Sequence, residues 1–132
     1  NLIMPTDYIV AHDSLDESLT TVSADKLPDT CYGISIGATT VQTYNAIIKD
    51  SKTIFYNGLM GFIKRPETLG PCQSLFEAMA QTTAFTVLGG GDTVAAARMS
   101  GHASSMSFCS TGGGATLAYV SGARLPSLDL LI

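Results

Sequence analysis

Tryptophan is absent from the 132 residues, histidine occurs twice, and only seven residues are basic. Those seven, Lys26, Lys49, Lys52, Lys64, Arg65, Arg98 and Arg124, are scattered, and the formal net charge is −4. Phosphate backbones are held by clustered Lys and Arg, so no nucleic-acid partner is expected. The three cysteines, Cys31, Cys72 and Cys109, are an odd number, widely spaced and without a C-x-x-C pair. They read as buried thiols rather than a disulfide framework or a zinc site. No apolar run reaches the roughly 18 to 20 residues of a membrane helix, and no basic segment precedes an apolar one at the start. No membrane partner is expected, and a cytoplasmic location is the default. The chain opens Asn1-Leu-Ile-Met-Pro5 and runs at once into apolar sequence, which reads as a piece of a larger protein.

What is present is apolar sequence and glycine. With 45% hydrophobic and 14% charged residues, the chain has the material to bury a core as one domain or a large part of one. Short strand-like runs at 8–11, 32–36, 53–56, 84–88 and 106–109 are mostly apolar enough to lie in a parallel sheet. Helical spacing recurs in 39–50, where Val41, Tyr44, Ile47 and Ile48 share a face. It recurs in 71–81, where Leu75, Phe76, Met79 and Ala80 do, with Pro71 suited to the first turn. Further helices are expected from Asp92 and Thr116, with Gly101 and Gly122 at helix ends that favour a left-handed residue. The polar stretch 13–29 reads as a loop between the first two strands. Strand alternating with helix implies an α/β fold with a mostly parallel open sheet, Rossmann-like, whose ligands bind beyond the carboxyl ends of the strands.

Two glycine triplets, residues 89–91 and 112–114, each follow an apolar run and precede a helix-like segment. Glycine lets backbone N–H groups approach an anion closely, and a helix start adds further N–H groups and the positive end of its dipole. Neither triplet is a standard fingerprint. A Walker A loop needs a lysine that neither has, and G-x-G-x-x-G would need glycine where Val94 and Leu117 stand. Each alone could be a tight turn, whereas two in equivalent positions point to paired phosphate-binding turns. Asp92 suits a helix N-terminus as a cap; beside a polyphosphate it makes sense with a Mg²⁺ ion between it and the phosphate oxygens. Thr93, Ser110 and Thr111 could add hydroxyls or act as caps.

The runs Gly89-Gly-Gly-Asp-Thr-Val-Ala-Ala96, Ser110-Thr-Gly-Gly-Gly-Ala-Thr-Leu117, Tyr56-Asn-Gly-Leu-Met-Gly61 and Leu125-Pro-Ser-Leu128 resemble the carboxyl-terminal part of phosphoglycerate kinase, as does Met4-Pro-Thr-Asp-Tyr-Ile-Val-Ala11. The resemblance runs in order over nearly all of the chain. It implies a two-domain glycolytic kinase that reversibly moves a phosphoryl group from 1,3-bisphosphoglycerate to ADP, giving 3-phosphoglycerate and ATP with Mg²⁺. Residues 1–132 would be the later part of its nucleotide-binding domain, inactive alone because the triose-binding domain and its basic residues have no counterpart here. By position, Gly33, Ile34 and Phe62 would line the adenine pocket and Asn57 would face the phosphates. Gly90, Gly91, Asp92 and Thr93 would hold phosphates and metal, with Asp92 the metal ligand. Gly112, Gly113 and Gly114 would offer N–H groups to the migrating phosphoryl group.

Departures accompany the matches. Lys64 stands where the family usually carries a glutamate for the ribose hydroxyls, and a lysine cannot accept both of them. Glu67 is the nearby alternative acceptor. Ser35, Ala38, Leu59 and Phe108 also replace an aspartate, two prolines and a histidine usual in the family. Two other readings stay open beside the kinase: a degenerate nucleotide-binding module without catalysis, and a sugar-phosphate-binding α/β protein.

Overall fold

A computed structural model describes residues 1–15 and 18–131. Among the described residues, six strands and five α-helices follow in the order β1 (Asp7–Ala11), β2 (Thr20–Ser23), β3 (Tyr32–Ile36), α1 (Ala38–Asp50), β4 (Thr53–Asn57), α2 (Gly70–Ala80), β5 (Phe85–Gly89), α3 (Gly91–Met99), β6 (Phe108–Ser110), α4 (Gly114–Val120) and α5 (Pro126–Asp129). The strands divide into two sheets. β4, β5 and β6 lie side by side and parallel, with Asn57 opposite Gly89 and Gly89 opposite Ser110. β1 is central in the other sheet, antiparallel to both β2 and β3.

The α/β class and the parallel arrangement of β4 to β6 agree with the reading of the sequence. The first two strand runs differ from it: they pair with each other antiparallel, through a register shift between Ile9 and Val10. The stretch 13–29 also differs, because Thr20–Ser23 forms β2 and a single 3₁₀ turn, Ala24–Lys26, follows it. Threonine and valine favour strands, but this edge strand is largely exposed, so it lacks an apolar signal. Asp16 and Glu17, within that stretch, lie outside the described residues.

Asp7 ties β1 to the start of α1. Its buried carboxylate accepts the Thr39 N–H at 3.0 Å, the Thr40 N–H at 2.8 Å and the Thr40 hydroxyl at 2.5 Å, capping α1 from a distant strand. Gly37 precedes α1 and has no capping side chain of its own; a Cβ there would overlap the Asp7 carboxylate. Burial pushes the Asp7 carboxyl up, but the Thr40 and Thr39 hydrogen bonds outweigh it and hold the group below its ordinary value.

The core is built around α2, whose Cys72, Leu75, Phe76 and Met79 are buried against Ile36, Ile48, Leu88 and Val94. The Phe76 ring meets Tyr56 edge-on, with centroids 5.1 Å apart. β5 shows the consequence for the sheet: Thr86 and Leu88 are buried, whereas Phe85 is 57% exposed and Phe108 on β6 is 58% exposed. One face of the parallel sheet is thus covered and the other presents Phe55, Phe85 and Phe108. Parallel sheets in globular proteins are usually covered on both faces. Among the described residues, no helix is long and apolar enough to cross a membrane.

Candidate functional site

Parallel pairing of β5 with β6 carries both glycine triplets to the same sheet edge, where β5 turns into α3 and β6 into α4. The two turns are tied together. Gly90, at φ 102° and ψ 136°, donates its N–H to the Ser110 carbonyl at 2.9 Å and to the Gly112 carbonyl at 3.2 Å. That φ lies where side chains are strained, so glycine is required by conformation. The second turn is braced from within: the Thr116 hydroxyl donates to the Gly112 carbonyl at 2.5 Å and sits 2.8 Å from the Ser110 hydroxyl, which accepts the Gly112 N–H at 3.3 Å. The amides of Gly90 and Gly112 therefore face internal acceptors rather than a ligand, because the turns need those bonds to stand side by side. At the starts of α3 and α4 no side chain caps the helix, leaving the first-turn N–H groups directed at the sheet edge.

A cleft of about 840 Å³ opens over the first turn. Its floor includes Gly90, Gly91, Asp92 and Thr93, and Gly113 of the second turn reaches its wall. Thr93 is 1% exposed and its hydroxyl is largely shielded, whereas the Asp92 carboxylate is exposed. Asn57, at the end of β4, and Phe62 and Lys64, on the segment that follows β4, also line the cleft. Asn57 lies over the end of β5, and a Cβ on Gly89 would come within 2.5 Å of its Oδ1.

Other expected residues stand elsewhere. Gly33 and Ile34 sit on β3 in the antiparallel sheet, Ile34 is 5% exposed, and neither lines the cleft. β3 pairs with β1 there, so the adenine contact that the resemblance implies for these two stands apart from the cleft over the glycine turns. Gly112 and Gly114 belong to the second turn without lining the cleft. Glu67 is not a cleft residue either; its carboxylate accepts from the Arg65 guanidinium at 2.9 Å. That contact holds the Glu67 carboxyl below its ordinary value. The charged side chains lining the cleft on this loop are consequently both cationic, Lys64 and Arg65, with Arg65 also donating to the Leu15 carbonyl.

Among the described residues no group of three or more His, Cys, Asp or Glu side chains could hold a metal ion by itself. Asp92 supplies one carboxylate at the cleft floor. One carboxylate fits Mg²⁺ that arrives with a polyphosphate, since Mg²⁺ is commonly held by one or two carboxylates plus phosphate oxygens and water.

Sequence reasoning missed Thr68 and the Ser110 to Thr116 brace. Thr68 is fully buried, and its hydroxyl accepts the Phe62 N–H at 2.8 Å. Its only trace in the sequence is a threonine between Pro66 and Leu69, which reads as a local cap and says nothing about residue 62.

The chain matches the family model described as phosphoglycerate kinase over residues 1–123. It is 41% identical over 135 aligned positions to a phosphoglycerate kinase of Mycolicibacterium gilvum, covering 98% of this chain and 34% of that protein. A second relative, from an Anaeromyxobacter species, is 37% identical over 132 positions, covering 99% of this chain and 33% of that protein. The solved phosphoglycerate kinase of Coxiella burnetii superposes with a TM-score of 0.83 at 32% identity, over 98% of this chain and 34% of that one. That of Pyrococcus horikoshii gives 0.79 at 29% identity, over 95% and 31%. The chain thus spans about a third of the length of the curated relatives it matches.

Proposed function

Because the chain belongs to the phosphoglycerate kinase family, we propose that residues 1–132 supply the Mg²⁺–nucleotide side of a reversible phosphoryl transfer from 1,3-bisphosphoglycerate to ADP. They are the later part of a nucleotide-binding domain and do not turn over substrate alone. The observation that carries this reading is the pair of Gly90 hydrogen bonds, which makes the two glycine turns one device at one cleft.

Phosphoryl transfer asks little covalent work of a protein and much positioning and charge stabilisation. The first-turn amides of α3 receive the nucleotide's phosphates, and the exposed Asp92 carboxylate holds the accompanying Mg²⁺, which offsets phosphate charge when bound. Asn57 faces the phosphates from the end of β4, and Phe62 lies along the nucleoside. Gly113 and Gly114 present amides to the phosphoryl group as it moves. Lys64 and Arg65 are the cationic side chains of the described cleft, and Arg65 is held by Glu67. A second cationic surface is therefore required for the triose, which supports the absence of turnover by this chain alone.

Calorimetric titration with Mg·ADP tests the reading. The chain should bind, and Gly113→Val, which fills the wall, or Asp92→Ala, which removes the carboxylate, should weaken binding at least about tenfold. Equal binding by the parent and both variants, or turnover of 3-phosphoglycerate and ATP by the pure chain, would overturn it.

A further inference from the structure

One wall of the cleft is a short loop, residues 61–65, every member of which lines it. Phe62 and Lys64 are exposed, and Arg65, which also donates to the Leu15 carbonyl, pairs with a Glu67 carboxylate that is 58% exposed. Such pairs contribute little to order. One buried hydroxyl ties the two ends of the loop together. Thr68 Oγ1 accepts the Phe62 N–H at 2.8 Å and donates to the Arg65 carbonyl at 2.6 Å, while the Thr68 N–H reaches the same carbonyl at 2.9 Å. The Arg65 N–H closes the ring on the Phe62 carbonyl at 2.9 Å, so that Phe62 and Arg65 form a one-bridge antiparallel pair. The approach is close enough to dictate sequence. A Cβ on Gly61 would stand 2.5 Å from the Thr68 carbonyl oxygen and 2.7 Å from its hydroxyl, and Gly61 also takes φ +98°.

We propose that Thr68 is the positioning residue of this cleft: its hydroxyl fixes loop 61–65 before a ligand arrives, and the preference for a nucleoside diphosphate over bare diphosphate depends on it. The proposal rests on the nucleotide reading above. The physical basis is preorganisation, since a loop that must be ordered on binding diverts part of the interaction energy to that ordering. The diphosphate meets the glycine turns and Asp92, which Thr68 does not touch. The nucleoside meets Phe62 and Lys64, and Thr68 holds the backbone at Phe62 and at Arg65, on either side of Lys64.

Thr68→Val keeps the buried shape and removes the hydroxyl; Thr68→Ser restores it. Calorimetry on the chain with Mg·ADP and with Mg·pyrophosphate separates the two halves of the cleft. Thr68→Val removes both hydrogen bonds of the hydroxyl and should bind Mg·ADP about tenfold more weakly, yet bind Mg·pyrophosphate within about twofold of the parent. Thr68→Ser should recover most of the Mg·ADP affinity, and the Phe62 amide should exchange faster in ligand-free Thr68→Val than in either hydroxyl-bearing chain. Should Thr68→Val fail to fold, Thr68→Cys takes its place with the same expectation. Unchanged Mg·ADP affinity in the variant, equal losses for both ligands, or no rescue by serine would overturn the role of Thr68. A parent chain that binds neither ligand would overturn the nucleotide reading and this proposal with it, an outcome distinct from a parent that binds and a variant that binds equally well.

Discussion

Gly90→Ala puts the joining of the two turns under direct test. The residue's φ of 102° is one that an L side chain rarely adopts, and holding alanine there costs about 1–3 kcal/mol. Sterics add little, because a Cβ would meet Thr93 Oγ1 at 3.4 Å and Asn57 Oδ1 at 3.9 Å, both ordinary contacts. If the backbone relaxes instead, the N–H leaves the Ser110 and Gly112 carbonyls, a loss of about 1 kcal/mol for each hydrogen bond. The two routes predict a destabilisation of about 1–3 kcal/mol, or roughly 3–12 °C in the midpoint of thermal unfolding. Gly114→Ala is the control: a Cβ there meets nothing within 4 Å, Gly114 has no positive φ, and it begins α4. Its midpoint should stay within about 2 °C of the parent or rise, as alanine suits a helix better than glycine. Differential scanning calorimetry of both variants decides the matter. A Gly90→Ala chain as stable as Gly114→Ala would refute the argument that this conformation and its two hydrogen bonds hold the turns together.

Three further outcomes are expected. Asp7 has a depressed folded-state pKa, so its contribution is complete above its ordinary value of 3.8 and is lost as pH falls through the lower folded value. Acid unfolding monitored by circular dichroism should therefore lose this component below about pH 4 in the parent, and Asp7→Asn should flatten that limb while lowering stability at neutral pH by about 1–3 kcal/mol. Lys64→Glu returns a carboxylate to the cleft; Mg·ADP should bind about tenfold more tightly and a 2′,3′-dideoxy analogue should gain nothing, with equal gains counting against a ribose contact. The bare sheet face predicts self-association of the isolated chain, read by sedimentation velocity, that Phe85→Ser with Phe108→Ser reduces; a monodisperse parent would contradict it.

The parts of the fold that were legible in sequence are those whose signal is local. The runs that became β4, β5 and β6 are flanked by helical periodicity, and the triplets at 89–91 and 112–114 mark where strand gives way to helix. Gly101 and Gly122 likewise announce left-handed positions, at φ 79° and 80°. What escaped depends on partners distant in the chain. Nothing near Asp7 says that its carboxylate serves amides 32 and 33 residues away, and nothing in Thr20–Ser23 says that an exposed polar segment pairs with β1. The same holds for the site. Glycine told where backbone could approach a ligand, but not which amides would be consumed in bracing the turns, as those of Gly90 and Gly112 are. Gly33 and Ile34 carried a role by resemblance alone, and β3 takes them into the antiparallel sheet.

The central claim is that one bound nucleotide engages both glycine turns from a single cleft. Amide hydrogen exchange with and without saturating Mg·ADP tests it most directly. Slowed exchange at the starts of both α3 and α4, together with the Phe62 loop, is the predicted result. Protection confined to one turn, or appearing only around β3, would contradict it.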